Sequence, residues 1–235
     1  MGLSKALLKD EREINQKSKL KESLICIENL IRKAGGVCDN NPVLVEALIG
    51  DAATQKKQNP NHAFCEGCDT EKMTEKRMCR CMYYYNSHEK RELSNCSNCQ
   101  LIHRWKNVGK IEIAEYEYPT EYLAETVGGM DLIINDGGQR YAVEVKPYKN
   151  SETLARMFAE ILTYTLEYKK GICKPAICFF EGSEQWKEYF TLKSEANASL
   201  EYIESFIKVY YFKLQENGLV HEFEILPIED VMQSE

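Results

Sequence analysis

A chain of 235 residues fits one large domain, or a catalytic domain with a small satellite, because domains run to about 100–200 residues; its 43% hydrophobic and 10% aromatic content excludes intrinsic disorder. The formal net charge of −7 excludes a uniformly basic nucleic-acid binder, so any basic surface has to be local. The opening residues Met1 to Lys33 mix Lys and Arg with Asp and Glu, with no apolar core of a signal peptide, and no stretch approaches the roughly 18–20 apolar residues of a membrane span, so a cytoplasmic chain without a membrane partner is expected.

In chain order, Leu7, Leu8, Leu20, Leu24, Ile27, Leu30 and Ile31 recur at three- and four-residue steps and predict amphipathic helix between Leu3 and Arg32, ended by Ala34-Gly35-Gly36. A second helix is predicted from Pro42 to Ala53, with Asn41 as N-cap and Pro42 at the first position. A Cys/His-rich segment follows from His62 to His103. Beyond Gly109 the alternation of Ile111, Ile113, Tyr116 and Tyr118 reads as strand. Met130 to Asn135 and Gln139 to Lys146 flank Asp136-Gly137-Gly138 as a hairpin. Ser151 is the expected cap of a helix reaching Lys169, Pro175 to Phe180 a buried strand, Leu200 to Glu216 a last helix and Val220 to Leu226 a terminal strand. This order predicts an α/β architecture with a mixed central sheet.

The chemistry concentrates in the hairpin. Side chains alternate along a strand, so Glu144 and Lys146 share one face while Val143 and Val145 take the other. With Gly137-Gly138 as the loop, paired positions sum to 275 and Asp131 opposes Glu144; with Asp136-Gly137 as the loop, Glu144 is a diagonal neighbour of Asp131. Either register puts both carboxylates on one face. Facing Cβ atoms lie about 4.5–5.5 Å apart, so the two carboxylates can converge on one Mg²⁺, with the Lys146 ammonium beside them to orient or activate a water against a phosphodiester.

These residues resemble the PD-(D/E)xK nuclease superfamily, over Gly128 to Tyr164: an Asp on one strand, Glu-x-Lys on the next, then a helix against the sheet. The resemblance implies a restriction-endonuclease-like core flanked by helices. It also implies a Mg²⁺ (or Mn²⁺) ion held by Asp131, Glu144 and the Val145 carbonyl, with Lys146 as a catalytic residue. Some members carry Gln-x-x-x-Tyr on the following helix, and Glu160-Ile-Leu-Thr-Tyr164 keeps that spacing with Glu in place of Gln. Many place an acidic residue on a helix before the first strand, for which Glu46 is the candidate here.

Of the ten cysteines, six crowd into one segment. Cys65-Glu-Gly-Cys68 and Cys96-Ser-Asn-Cys99 are two knuckles of the kind that together complete a tetrahedral zinc shell, with Cys79, Cys81, His62 and His103 as further ligands, so one- and two-zinc arrangements both stand. The resemblance also implies an iron–sulfur cluster as a competitor, as in recombination-type members whose cysteines flank the core; here all six cysteines precede it, which favours zinc. Cys26, Cys38, Cys173 and Cys178 are scattered and read as small buried hydrophobes. Between Lys72 and Lys110 nine Lys or Arg stand against Glu75, Glu89 and Glu92, interleaved with Tyr83, Tyr84, Tyr85 and Trp105. Arg104 and Lys106 in this basic region are the candidate nucleic-acid contacts.

The expectation is therefore N-terminal core helices over 1–61, a zinc-binding insertion over 62–106 and the rest of the core over 107–235. The expected activity is Mg-dependent endonuclease cleavage of nucleic acid, DNA first, in a setting such as restriction, phage defence or a mobile element, with a homodimer left open. The alternative is a zinc-stabilised nucleic-acid- or partner-binding protein whose nuclease-like core no longer cuts.

Overall fold

A computed structural model describes residues 19–36, 54–55, 75–86, 104–118, 122–123, 130–166, 173–217 and 220–232. Helix α1 (Leu20–Lys33) forms where Leu20, Leu24, Ile27 and Ile31 fall on one face, and all four are buried. Gly35 ends it as the sequence suggests. Its φ of +76° lets the Gly35 and Gly36 amides fold back onto the Arg32 and Ile31 carbonyls, at 3.0 and 2.9 Å, satisfying the last turn. The predicted helix at 42–53 lies outside the described residues.

A two-stranded sheet pairs β1 (Thr54–Gln55) with β4 (Tyr122–Leu123). The main sheet has seven strands in the order β2-β9-β8-β7-β6-β5-β3. They are β2 (Arg104–Asn107), β3 (Glu112–Tyr118), β5 (Met130–Asp136), β6 (Gln139–Val145), β7 (Cys173–Phe180), β8 (Lys208–Asn217) and β9 (Val220–Pro227). The sheet is mixed: β6, β7 and β8 run parallel, β5 and β9 antiparallel to them as hairpin partners, and the edge strand β2 parallel to β9. Gly137 and Gly138, with φ of +55° and +86°, form the two-residue turn between β5 and β6, since both central positions of that turn type need positive φ. The ladder runs from Asp136↔Gln139 to Leu132↔Val143, so the register sums to 275.

Three parallel strands stepping in one direction put both right-handed crossovers on the same face. Helices α3 (Leu154–Leu166), α4 (Glu184–Glu195) and α5 (Asn197–Glu204) all bury there, with α1 behind them. Leu154, Met157, Phe158, Ile161 and Leu162 form one face of α3 and are fully buried, and Ala155 and Ala159 beside that face are fully buried too, so the helix is enclosed on most of its circumference. The opposite face is covered by α2 (Glu75–Asn86), whose Met78, Cys79 and Met82 pack on Leu132, Ile134, Val143, Val145 and Phe180. Among the scattered cysteines, Cys178 and Cys173 are buried in the two cores, and burial pushes the Cys173 thiol up to about 12. No helix among the described residues is long and apolar enough to cross a membrane.

Several elements differ from expectation. The stretch expected as a helix to Glu216 is helical only to Glu204 and then becomes β8: Tyr210, Phe212 and Leu214 alternate to one core while Val209 and Tyr211 face the other, and this period of two overrides helix. Helix α4 was not anticipated; Ser183 starts it by accepting from the Trp186 amide at 3.2 Å. Helix α3 begins later than expected, because the exposed Ser151 is not its cap. Buried Thr153 accepts from the Arg156 amide, and Glu188 of α4 accepts from the Leu154 amide at 2.8 Å. Within 62–106, the range expected as a zinc-binding insertion, α2 covers the main sheet and β2 is its edge strand. Asn86 binds these two together: its amide donates to the Met82 and Trp105 carbonyls, at 2.5 and 2.8 Å, and its oxygen accepts from the Asn107 amide at 2.8 Å.

Phe158 lies at the centre of the enclosed helix, so Phe158→Ala should cost about 3–5 kcal/mol of unfolding free energy, measured by urea denaturation. An exposed replacement such as Lys213→Ala should stay within about 0.5 kcal/mol.

Candidate functional site

The site is built where β6 ends and β5 begins. Asp131 shares its face with Ile133, and Glu144 shares its face with Ala142; both apolar neighbours belong to the core beneath α3. The two carboxylates stand one residue beyond the last ladder pair, Leu132↔Val143, in the directly opposed register. Asp131 is fixed by the Val145 amide, which donates to its Oδ2 at 2.8 Å. The backbone then continues along β7, the Lys146 amide donating to the Cys178 carbonyl at 3.3 Å.

Lys146 is 3% exposed, and its ammonium is surrounded by carboxylates. Nζ lies 2.5 Å from Glu144 Oε1, 2.9 Å from Glu152 Oε2, 3.1 Å from Glu75 Oε2 and 3.4 Å from Glu160 Oε2. Glu160 comes from α3, Glu152 from the loop before it, and Glu75 from the first turn of α2 on the far side of the sheet. Arg156 completes the cluster, its Nε 2.8 Å from Glu160 Oε1 and 3.4 Å from Glu152 Oε1. The loop between Lys146 and α3 is held by α4: Gln185 donates to the Asn150 and Glu152 carbonyls at 3.2 and 2.6 Å.

Five carboxylates (Glu75, Asp131, Glu144, Glu152, Glu160) against Lys146 and Arg156 leave three negative charges in excess when all are ionised. The electrostatics follow. Burial, then the neighbouring carboxylates, push Asp131 and Glu144 well above the usual carboxylate range despite Lys146. Burial also raises Glu75. Glu160 is held below the ordinary value: burial opposes this, and Lys146, Glu144 and Arg156 together outweigh it. Lys146 is held firmly protonated, the carboxylates overcoming its own desolvation. Tyr164 is buried one helical turn beyond Glu160, and burial together with Glu144 and Glu160 raises its phenol.

Glu75, Asp131 and Glu144 each bring an oxygen within 4.8 Å of the others. An all-oxygen, anionic donor set around one point fits a hard divalent cation such as Mg²⁺ or Mn²⁺, and fits zinc of a structural kind poorly.

The structure thus brings Asp131, Glu144, Lys146, Glu160 and Tyr164 together, and Val145 contributes its amide to Asp131. Glu46 lies outside the described residues, as do Cys65, Cys68, Cys96, Cys99, His62 and His103. Cys79 is buried in the core under α2, and Cys81 packs against the same core half-buried. Lys106 is exposed on β2 with its Nζ 2.9 Å from Glu222, and Arg104 opens the same strand. Sequence reasoning missed Glu75 and Glu152. Glu75 was legible as the acidic first residue of a helix whose Met78, Cys79 and Met82 recur at helical spacing, but the cysteines drew the reading towards metal ligation. No family model, curated protein or solved structure matches the chain.

A carboxyl group whose native pKa lies above its unfolded value keeps a proton that the unfolded chain has released, so it lowers stability as pH rises through the interval between the two values. Asp131 is such a group. In EDTA, Asp131→Asn should therefore be more stable than the wild type, by a margin that grows from about pH 4 towards neutrality. Urea denaturation across pH checks this; a margin that is absent, or shrinks as pH rises, contradicts the burial argument.

Proposed function

We propose that the protein is a metal-dependent nuclease that hydrolyses phosphodiester bonds, DNA being the first substrate to test. The single observation that carries this reading is the convergence of Glu75, Asp131 and Glu144 around one point with the Lys146 ammonium against them. The arrangement agrees with the restriction-endonuclease-like resemblance of the hairpin, and Glu75 takes the role for which Glu46 was the sequence candidate.

In this reading Asp131, Glu144 and Glu75 hold Mg²⁺ or Mn²⁺, and the Val145 carbonyl is a further ligand. When bound, the cation would supply charge stabilisation at the phosphoryl group and a water of lowered pKa. The chain's own residues do the rest. The Val145 amide orients Asp131. Lys146, held protonated by the carboxylates around it, stabilises negative charge developing on a phosphate oxygen. Glu160 and Glu152 keep that lysine charged and in place. Both cores are closed beneath the site, so the reacting groups sit on strand ends and helix turns rather than on loose loops.

A zinc ion on Cys65, Cys68, Cys96 and Cys99 is part of the same proposal, supported by the paired knuckle spacing. Basic side chains near β2, Lys106 among them, are proposed to meet the nucleic-acid backbone, because the acidic remainder of the chain repels phosphate.

Purified protein should cut DNA with Mg²⁺ or Mn²⁺ and be silent in EDTA. Asp131→Asn, Glu144→Gln and Glu75→Gln should each lower the rate by at least about 10²-fold, the loss of a few kcal/mol of transition-state stabilisation. Wild-type rates in the Asp131 and Glu144 variants would refute the assignment. Arg104→Ala with Lys106→Ala should weaken DNA binding across sequences and reduce its salt slope by about 1–2, with zinc content by elemental analysis unchanged.

A further inference from the structure

Lys146 draws on two of the three carboxylates that converge for a cation: Nζ is 2.5 Å from Glu144 and 3.1 Å from Glu75. A divalent ion entering there meets a positive charge already on its ligands, within a buried site where like-charge repulsion is weakly screened. Glu152 and Glu160 lie outside the converging trio but touch the same ammonium. Each gives one oxygen to Lys146 and the other to Arg156: Glu152 by Oε2 at 2.9 Å and Oε1 at 3.4 Å, Glu160 by Oε2 at 3.4 Å and Oε1 at 2.8 Å. Two carboxylates and two cations close a neutral ring of four beside the trio.

We propose that Lys146 is handed over when the cation binds: it releases Glu75 and Glu144 to the metal and stays on Glu152 and Glu160, which act as positioning residues and not as ligands. The ammonium fills the charge hole of the metal-free site, and the receiving pair keeps it beside the metal. Glu160, where the resembled pattern has Gln, gives the receiving side its second negative charge beside Glu152. This inference rests on the metal-dependent reading of the site.

The test is Mn²⁺ binding by the full chain, followed by titration calorimetry in buffers of different ionisation enthalpy, so that proton release is subtracted, and by the loss of the free Mn²⁺ electron-spin signal. Lys146→Met should bind Mn²⁺ about tenfold more tightly than the wild type, because the competitor is gone, and Lys146→Gln should do the same if the Met variant does not fold. Glu152→Gln with Glu160→Gln, Lys146 retained, should bind about tenfold more weakly, because the lysine has no receiver. In the Lys146→Met background the same two Gln changes should have little effect, a non-additivity that a general loss of negative charge would not produce.

Unchanged or weaker binding after loss of Lys146, or an equal cost of the Gln changes with and without Lys146, overturns the handover while leaving the nuclease reading intact. A wild type that binds no Mn²⁺ and cuts nothing overturns both.

Discussion

An ammonium group at 3% exposure is tolerated only where anionic partners replace its lost hydration, and desolvation of this kind outweighs any single ion pair of ordinary geometry. Lys146 meets that demand with four carboxylates from separate parts of the chain. Much of the architecture can be read as the means of delivering them. The hairpin turn sets the register that brings Asp131 and Glu144 together. The first crossover returns Glu152 and Glu160 over the sheet, and α2 carries Glu75 from the opposite layer. Burial first, and then repulsion among the carboxylates, raises Asp131 and Glu144, so lysine and acids hold each other in a state that neither would keep alone.

The layers supply the rigidity this requires. Enclosure of α3 by the sheet, α1 and α4 leaves Glu160 little freedom, while Glu188 and Gln185 of α4 secure the helix start and the loop that carries Glu152. An aromatic run through Trp105, Phe180, Phe212 and Phe223, with centroids 4.8–6.2 Å apart, fills the other core beneath β7, β8 and β9. The site therefore sits where two well-packed layers meet at strand ends, a common place for chemistry in sheets with parallel strands.

The hairpin, its register and the shared face of Asp131, Glu144 and Lys146 were legible because a Gly-Gly turn and strict alternation leave few choices. The helix stop at Gly35 was legible for the same reason, since few other residues adopt that backbone. The end of α5 was not legible: Ile207 to Leu214 is apolar enough to satisfy either period, and only the two cores on opposite faces of β8 decide for strand. Ser151 was a sound local cap, displaced by Thr153 because Glu188, distant in sequence, holds the next turn. Glu75 and Glu152 were hidden by tertiary placement. Neither belongs to the hairpin motif, and their approach to Lys146 depends on how α2 and the 146–153 loop pack.

Asn86 has a consequence for how such a chain can change over time. One side chain joins the end of α2 to β2, so the backbone departs at residue 86 and re-enters at residue 104 between points already secured to each other. Substitution at position 86 therefore reaches beyond its own surroundings: losing this amide unties the end of α2 from the sheet edge, and with it the hold on the helix that carries Glu75 at its other end.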